Sequence, residues 1–401
     1  HSGQGFFDIF GHNLGSTGQL DLGGSFVDDV DAAGLYNSAI DGLIRDLDDP
    51  HSSFLPADEY ENLSIRIEGE YGGVGLEVVD RGGWVTVVSA MSGTPGQRAG
   101  IRAGDQFFEI EGIPADTMVT EEAVELLRGP PGTEVTVKML RPGVEEPIEF
   151  TIERATILLR AVPFALMLEP GIGYVPLQTV SETSSREVRA AVDSLRGEGL
   201  EGLILDLRGN PGGLLDEGIA VSDLFLEAEL PFVETRGRAA RQSQTYSSSS
   251  PDRYRDVPIV VLVDGTSASA SEIVSGALKD HGRVVVFGQR SFGKGSVQTV
   301  IPLGQGQGAL RLTTARYYTP SGQSIQVHGI EPDIISVEAD PAQREKNLRN
   351  PLSAEGQVRK GNGALMEEVC PDVSGGEDPI LLCALHMLRS GLLSVEIQTL
   401  N

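Results

Sequence analysis

Pro258-Ile259-Val260-Val261-Leu262-Val263-Asp264-Gly265-Thr266-Ser267-Ala268-Ser269-Ala270-Ser271-Glu272 is the stretch that decides the fold. The run Pro258–Val263 is apolar throughout and has the length of a strand buried on both faces. Small polar residues follow, and a helix reads from about Ser269 to Lys279. Strand, small-residue turn and helix together make the repeating unit of a sheet covered by helices. Upstream, Ile172–Leu177 reads as a strand, and Val188, Ala191, Val192 and Leu195 form a helical face ended by Gly197. Gly202–Leu207 is a second buried strand, followed by the loop Arg208-Gly209-Asn210-Pro211-Gly212-Gly213 and a helix through Phe225. Downstream, Val284–Gly288 is another strand. Residues 171–335 therefore predict an α/β layer structure.

The rest of the chain has a different character. Between 70 and 155, Val74, Leu76 and Val78 alternate, and Trp84–Val88, Asp105–Ile110, Glu134–Leu140 and Pro147–Ile152 read as strands. Two short helices, Pro95–Ile101 and Thr120–Arg128, end at glycines. This predicts a small β-rich domain with one exposed groove. Before it, Ala39, Ile40, Leu43, Ile44 and Leu47 fall at helical spacing, and Asp48-Asp49-Pro50 stops the helix. Residues 50–68 read as a loop-and-helix cap. Residues 1–25 are Gly-rich, with Phe6, Phe7, Ile9 and Phe10 as a docking patch. The Ser-rich stretch 236–256 predicts an exposed loop, and Pro379–Leu388 a late helix. The expected architecture is a multi-domain α/β (α+β) chain with boundaries at 1–69, 70–155, 156–340 and 341–401.

Composition narrows the function. The chain has 401 residues, 31 Lys plus Arg against 58 Asp plus Glu, and a formal net charge of −27. No basic excess exists to displace counterions from nucleic acid or to meet an anionic membrane. No apolar run approaches the length of a membrane span. Hydrophobic residues make up 40%, enough for sizeable cores. Cys370 and Cys383 are too few to define a zinc site. They would pair in an oxidising compartment, and act as small apolar fillers in a reducing one. The chain starts at His1, so a leader or other upstream segment is expected.

Chemistry concentrates where strand gives way to helix. A helix start offers free backbone N–H groups that favour developing negative charge, and small residues let a substrate backbone approach. Ser269 there is a candidate nucleophile, although serines at helix starts more commonly act as N-caps. A nucleophilic serine needs a base. None of His1, His12, His51, His281, His328 or His386 lies in a recommending motif, and no Gly-x-Ser-x-Gly elbow surrounds Ser269. The alternative base is Lys294, flanked by Gly293 and Gly295. Gly288-x4-Gly293-Lys294 imitates a phosphate-binding loop, but Gly295 stands where a hydroxyl residue is needed and a strand-like run, Val297–Pro302, follows. Ser291-x-x-Lys294 imitates the Ser-x-x-Lys of penicillin-binding enzymes without its companion motifs.

Taken together, Ser267-Ala-Ser-Ala-Ser-Glu272, Phe292-Gly-Lys-Gly-Ser-Val-Gln298, Asp206-Leu-Arg-Gly-Asn-Pro-Gly-Gly213 and Asp49-Pro-His-Ser-Ser-Phe-Leu55 resemble the C-terminal processing peptidases, or tail-specific proteases. Tyr71-Gly-Gly-Val-Gly-Leu76 is similar to the carboxylate-binding loop of their PDZ domain. The match runs from about residue 26 to 335. The resemblance implies a peptidase core at 156–340 with an inserted PDZ domain at 70–155 and helical caps at both ends. It implies Ser269 as nucleophile, Lys294 as general base and Gln298 as the residue orienting the lysine. The oxyanion donors would be the N–H groups of Ala270 and Gly213, with Asp280 supportive. Gly73, Val74, Gly75 and Leu76 would capture a protein C-terminus, the tail adding as a strand to the domain edge.

On this reading the partners are unfolded or tail-bearing protein substrates, with room for an adaptor or activator. Neither metal, nucleotide nor other cofactor is implied. The family is typically exported, which implies a periplasmic or cell-envelope location. The competing reading is a catalytically silent PDZ-type peptide-binding scaffold, against which Ser269, Lys294 and Gln298 together argue. A free lysine has a pKa near 10.4, so only about 0.1% is neutral near pH 7.4. Burial can depress it by roughly 3, worth about 4 kcal/mol. A carboxylate beside it would work against the base, so Glu272 and Asp280 are expected to point elsewhere.

Overall fold

The computed structural model describes residues 27, 31–304, 307–336, 344–353, 363–370 and 378–391. Residues 1–48 and 49–401 are two compact units. In the first, the helix Ala32–Arg45 begins earlier than the apolar spacing suggests. Ile40 is buried, whereas Leu43 and Leu47 are exposed, so much of the expected apolar face is open. The patch at Phe6, Phe7, Ile9 and Phe10 lies outside the described residues.

The second unit holds the predicted covered sheet. Its seven strands run in the order Leu166–Glu169, Ile172–Pro176, Gly202–Asp206, Ile259–Val263, Val285–Gly288, Ile334–Ile335 and Ala364–Leu365. The first pair is antiparallel; every later pair is parallel. Every residue of Ile259–Val263 is buried, as its unbroken apolar run requires. Alternate residues feed two cores. Leu205, Val261 and Val286 pack with Val188, Val192, Val221 and Val274 from the helices Ser184–Gly197, Leu215–Asp223 and Ala270–Asp280. Ile204, Val260, Leu262 and Phe287 pack on the other face with Ile380, Ala384 and Met387 of the helix Pro379–Ser390. That helix is tied back by a Cys370–Cys383 disulfide, so of the two states open to these cysteines the structure has the bonded one.

A second sheet is not apparent in the sequence. Ala309–Tyr318 pairs with Ser296–Pro302, with Pro231–Gly237 and with Ser53–Leu55. Ser53–Leu55 thus makes the expected N-terminal cap part strand, beside the helix Ala57–Glu68. The exposed loop expected over 236–256 is also corrected. Gln244–Ser247 pairs with Pro231–Gly237, while Ser248 and Tyr254 are buried. Serine there is structural: Ser248 donates to Asp223, and Tyr254 stacks at a tilt on Phe225 with ring centroids 5.5 Å apart.

The small β-rich region forms its own sheet, ordered Leu76–Asp80, Val85–Ala90, Gln106–Ile110, Glu134–Leu140, Ile148–Glu153. Its core of Val74, Val85, Phe107, Ile110, Val137 and Leu127 is separate from the other two. The helix Thr120–Leu127 lies beside Leu76–Asp80, which is an edge strand.

Candidate active site

Three loops leave the carboxyl ends of three neighbouring parallel strands: 207–214 after Gly202–Asp206, 264–269 after Ile259–Val263, and 289–295 after Val285–Gly288. Ligand sites of parallel α/β sheets form at this edge. Here the loops bring together Gly213, Ser269 and Lys294, which are far apart in sequence.

Ser269 is the residue before the helix Ala270–Asp280 and has φ 56° and ψ −117°. A non-glycine residue in this region costs on the order of 1–3 kcal/mol, which the surrounding contacts must offset. The hydroxyl is not spent on capping. The Glu272 N–H, the usual target of an N-cap side chain, goes to the Ser269 backbone carbonyl at 2.9 Å. The common capping role of such a serine does not apply.

Glu272 supplies the join between nucleophile and base segments. Its side chain is fully buried. One oxygen, Oε2, accepts the Ser269 N–H at 2.8 Å and the Lys294 N–H at 2.9 Å. Oε1 accepts the Gly293 N–H at 2.8 Å and the Ser291 hydroxyl at 2.5 Å. The expectation that Glu272 points away from the lysine is therefore wrong. A side chain with two acceptor oxygens suits this place because four donors converge on a buried pocket, and each would otherwise be orphaned. Burial pushes the Glu272 carboxyl up to about 7, against the hydrogen bonds from Ser291, Gly293, Ser269 and Lys294. Asp280 does point elsewhere, accepting the Ser321 N–H at 2.9 Å. Ser291 of the Ser-x-x-Lys imitation is a strut: its hydroxyl also accepts the Ile330 N–H at 2.6 Å. The phosphate-loop imitation runs into the strand Ser296–Pro302 and not into a helix.

Burial pushes the Lys294 amine below its ordinary range, and the Arg311 guanidinium adds to the effect. Glu345, Glu272 and Asp49 pull the other way. Among the described residues no hydrogen bond or ion pair holds the amine to a carboxylate. Its charge is disfavoured by the pocket and it is left free to accept a proton.

The glycine-rich loop presses on Ser269. A Cβ at Gly212 would lie 2.7 Å from the Ser269 Cβ, and one at Gly213 would lie 1.9 Å from the Val180 carbonyl oxygen. Only glycine fits either place. The Gly212 N–H is spent on Asn210 Oδ1 at 2.8 Å. No acceptor among the described residues takes the N–H of Gly213 or of Ala270. The Asn210 carbonyl accepts the Ala268 N–H and the Ser271 hydroxyl, both at 3.0 Å, and so fixes the loop to the Ser269 turn.

Gln298 reaches this corner from the strand Ser296–Pro302. Its Nε2 donates to Ser296 Oγ at 2.9 Å and Thr313 Oγ1 at 3.2 Å. Thr313 in turn donates its N–H to Ser52 Oγ at 3.0 Å, and Ser52 donates to Asp49 at 2.5 Å. The Asp49-Pro50-His51-Ser52 motif is thereby built into the site. Two neighbours carry no local sequence signal. Tyr317 is almost fully buried, donates its hydroxyl to the Lys294 carbonyl and lies near the Ser269 side chain. Glu345, fully buried, pairs with His51 Nε2 at 2.8 Å and takes the Gln326 amide at 2.5 Å, while Gln326 Oε1 accepts the Gly295 N–H.

In the small β-rich region, Gly73 pairs with Ala155 and Val74 is buried in the local core. Gly75 has φ 72°, and a Cβ there would lie 2.4 Å from Thr94 Cβ. Its carbonyl accepts the Met91 N–H at 3.0 Å and the Thr94 hydroxyl at 3.1 Å. This rigid bend leads into half-buried Leu76 at the head of the open edge strand.

Residues 171–336 match Peptidase family S41, and residues 86–141 match the PDZ domain. A carboxy-terminal-processing protease of Bartonella bacilliformis is 42% identical over 342 residues, covering 82% of this chain and 78% of that protein. The chain belongs to the S41 family of carboxy-terminal processing proteases. A carboxyl-terminal-processing protease of Synechocystis is 37% identical over 305 residues, covering 74% of this chain and 70% of its own. Among solved structures, a photosystem II D1 C-terminal processing protease is 31% identical, covers 77% of this chain and 83% of its own, and has a TM-score of 0.46. This S41 chain is accordingly a serine-type peptidase carrying a PDZ domain. No helix among its described residues is long and apolar enough to cross a membrane.

Proposed function

We propose that this S41 peptidase cleaves proteins selected by their C-terminal tails, using Ser269 and Lys294 as a catalytic dyad and passing through an acyl-enzyme. The supporting observation is the single Glu272 oxygen that accepts both the Ser269 and the Lys294 N–H, drawing the two segments together. Neutral Lys294 takes the Ser269 hydroxyl proton as the oxygen attacks the scissile carbonyl. The N–H groups of Ala270 and Gly213 receive the oxyanion. The lysine then gives its proton to the departing amine, and water, activated by the same lysine, releases the acyl group. The Gln298 amide oxygen, free of donors among the described residues, is the group offered to orient the lysine. The PDZ domain spans 70–155 and the peptidase core 156–340 on this reading.

Tail capture falls to Gly73, Val74, Gly75 and Leu76, with the tail lying along the open edge of Leu76–Asp80 and beside the helix Thr120–Leu127. The Cys370–Cys383 bond fits an oxidising compartment, so we assign the protein to the periplasm or cell envelope. The test incubates wild type, Ser269→Ala and Lys294→Ala with an unstructured protein ending in apolar residues, then with the same protein ending in charged ones. Only wild type should cleave, and it should prefer the apolar tail. Cleavage by Ser269→Ala would remove the nucleophile.

A further inference from the structure

Among the described residues, Asp378 of the C-terminal segment meets the 208–213 loop through Arg208. Arg208 opens the 208–213 loop, and its guanidinium is shared between two carboxylates. One edge meets Asp206, with Nε at 3.0 Å from Oδ1 and Nη2 at 2.7 Å from Oδ2. The other edge meets Asp378, with Nη1 at 3.0 Å from Oδ1 and Nη2 at 2.8 Å from Oδ2. Asp206 is itself held by the Arg208 N–H at 2.9 Å and the Tyr174 hydroxyl at 2.8 Å. Such a two-pronged pairing fixes the plane of the guanidinium as well as its position.

Asp378 sits at the head of a helix that is anchored in three ways. Its Oδ1 caps the helix Pro379–Ser390 by accepting the Leu381 N–H at 3.0 Å. That helix buries Ile380, Ala384 and Met387 on the sheet. Cys383, in the same helix, is bonded to Cys370.

We infer that Asp378 is a positioning residue for the reaction: through Arg208 it holds the loop that presents the Gly213 N–H to the oxyanion. This rests on the dyad and oxyanion reading above. The loop has anchors on the Ser269 side, where Gly209 N–H meets Asp264 Oδ2 at 3.1 Å and the Asn210 carbonyl meets the 268–271 turn. Asp378 supplies the counter-anchor from the C-terminal segment. An oxyanion donor acts in the transition state and hardly in the ground state, so slack in this loop lowers kcat and leaves KM alone.

The test separates positioning from capping. Asn and Ser are good N-caps, so Asp378→Asn and Asp378→Ser keep the helix start while losing the two-pronged arginine contact. Both should melt close to wild type, lose roughly tenfold in kcat on a tail-bearing protein, and change KM less than about twofold. Affinity for a peptide boronate, whose serine adduct places an oxygen in the oxyanion site, should fall by about the same factor. Asp378→Glu should recover part of both. Unchanged kcat and boronate affinity in Asp378→Asn and Asp378→Ser, with Ser269→Ala inert, would overturn this inference alone. Cleavage by Ser269→Ala, measured alongside, would overturn the dyad beneath it.

Discussion

The PDZ domain draws its sheet, its two helices and its core from one continuous stretch, and its groove is left open along an edge strand. The Ser269 corner is assembled the other way. Asp49–Ser52, 208–213, 269–272, 291–298, 313–317 and Glu345 come from distant parts of the chain and meet through buried polar contacts. The first region is stabilised mainly by apolar burial and has an unpaired edge, which on our proposal receives the tail. The second depends on a network of donors and acceptors paired away from water, with the N–H groups of Gly213 and Ala270 left open among the described residues. Changes in the groove should therefore alter which substrate binds, and changes in the corner should alter whether any substrate reacts.

The largest effect expected is from Ser269→Ala or Lys294→Ala: kcat should fall by about 10⁴-fold or more, with tail binding by calorimetry unchanged. Glu272→Ala comes next. It orphans four donors, each costing about 1–3 kcal/mol, and it frees the Ser269 and Lys294 segments from each other. Activity should drop on the order of a hundredfold and the melting temperature should fall with it. Wild type carries a matching pH signature. The Glu272 carboxyl is raised to about 7 on folding from an ordinary 4.5, so its contribution to stability is present below 4.5 and is lost as pH rises through about 7. Denaturant titrations across that window should show the decline in wild type and a flatter line in Glu272→Gln.

Gly75→Val tests the other side of the comparison. A side chain there collides with Thr94 and bends the loop that we propose captures the tail. KM for a tail-bearing protein should rise roughly tenfold, while Ser269 still reacts with a small active-site-directed acylating reagent at the wild-type rate. The smallest effect is expected from Arg311→Met. Arg311 helps keep Lys294 below its usual range, so its loss should move the acid limb of the kcat profile up by about half a pH unit.

Legibility in the sequence follows the same division. Gly202–Asp206, Ile259–Val263 and Val285–Gly288 could be read because each is a buried apolar run, and the PDZ strands because they alternate locally, whereas Ile334–Ile335 and Ala364–Leu365 are too short to show a pattern. Ala309–Tyr318 escaped notice because it lies half-buried beside Ser53–Leu55 and Pro231–Gly237, and its polar residues mask the period. Ser269 and Lys294 stood out as candidates in their own loops, whereas Gly213 and Ala270 were singled out only through the family resemblance. Tyr317 and Glu345 were reached by neither route, since their roles depend on partners 19 residues or more away in sequence. Glu272 was misjudged for a physical reason: a carboxylate beside a neutral lysine looks unfavourable until the four donors it satisfies are known.

The central claim is that Lys294 is an uncharged amine at rest beside Ser269. Lysine labelled with ¹³C at Cε reports its own protonation by NMR, and the Lys294 signal is the one that disappears in Lys294→Arg. Its titration midpoint should lie well below 10.4 and should move when Ser269 is replaced by alanine. A midpoint at or above 10.4, indifferent to Ser269→Ala, would contradict the account.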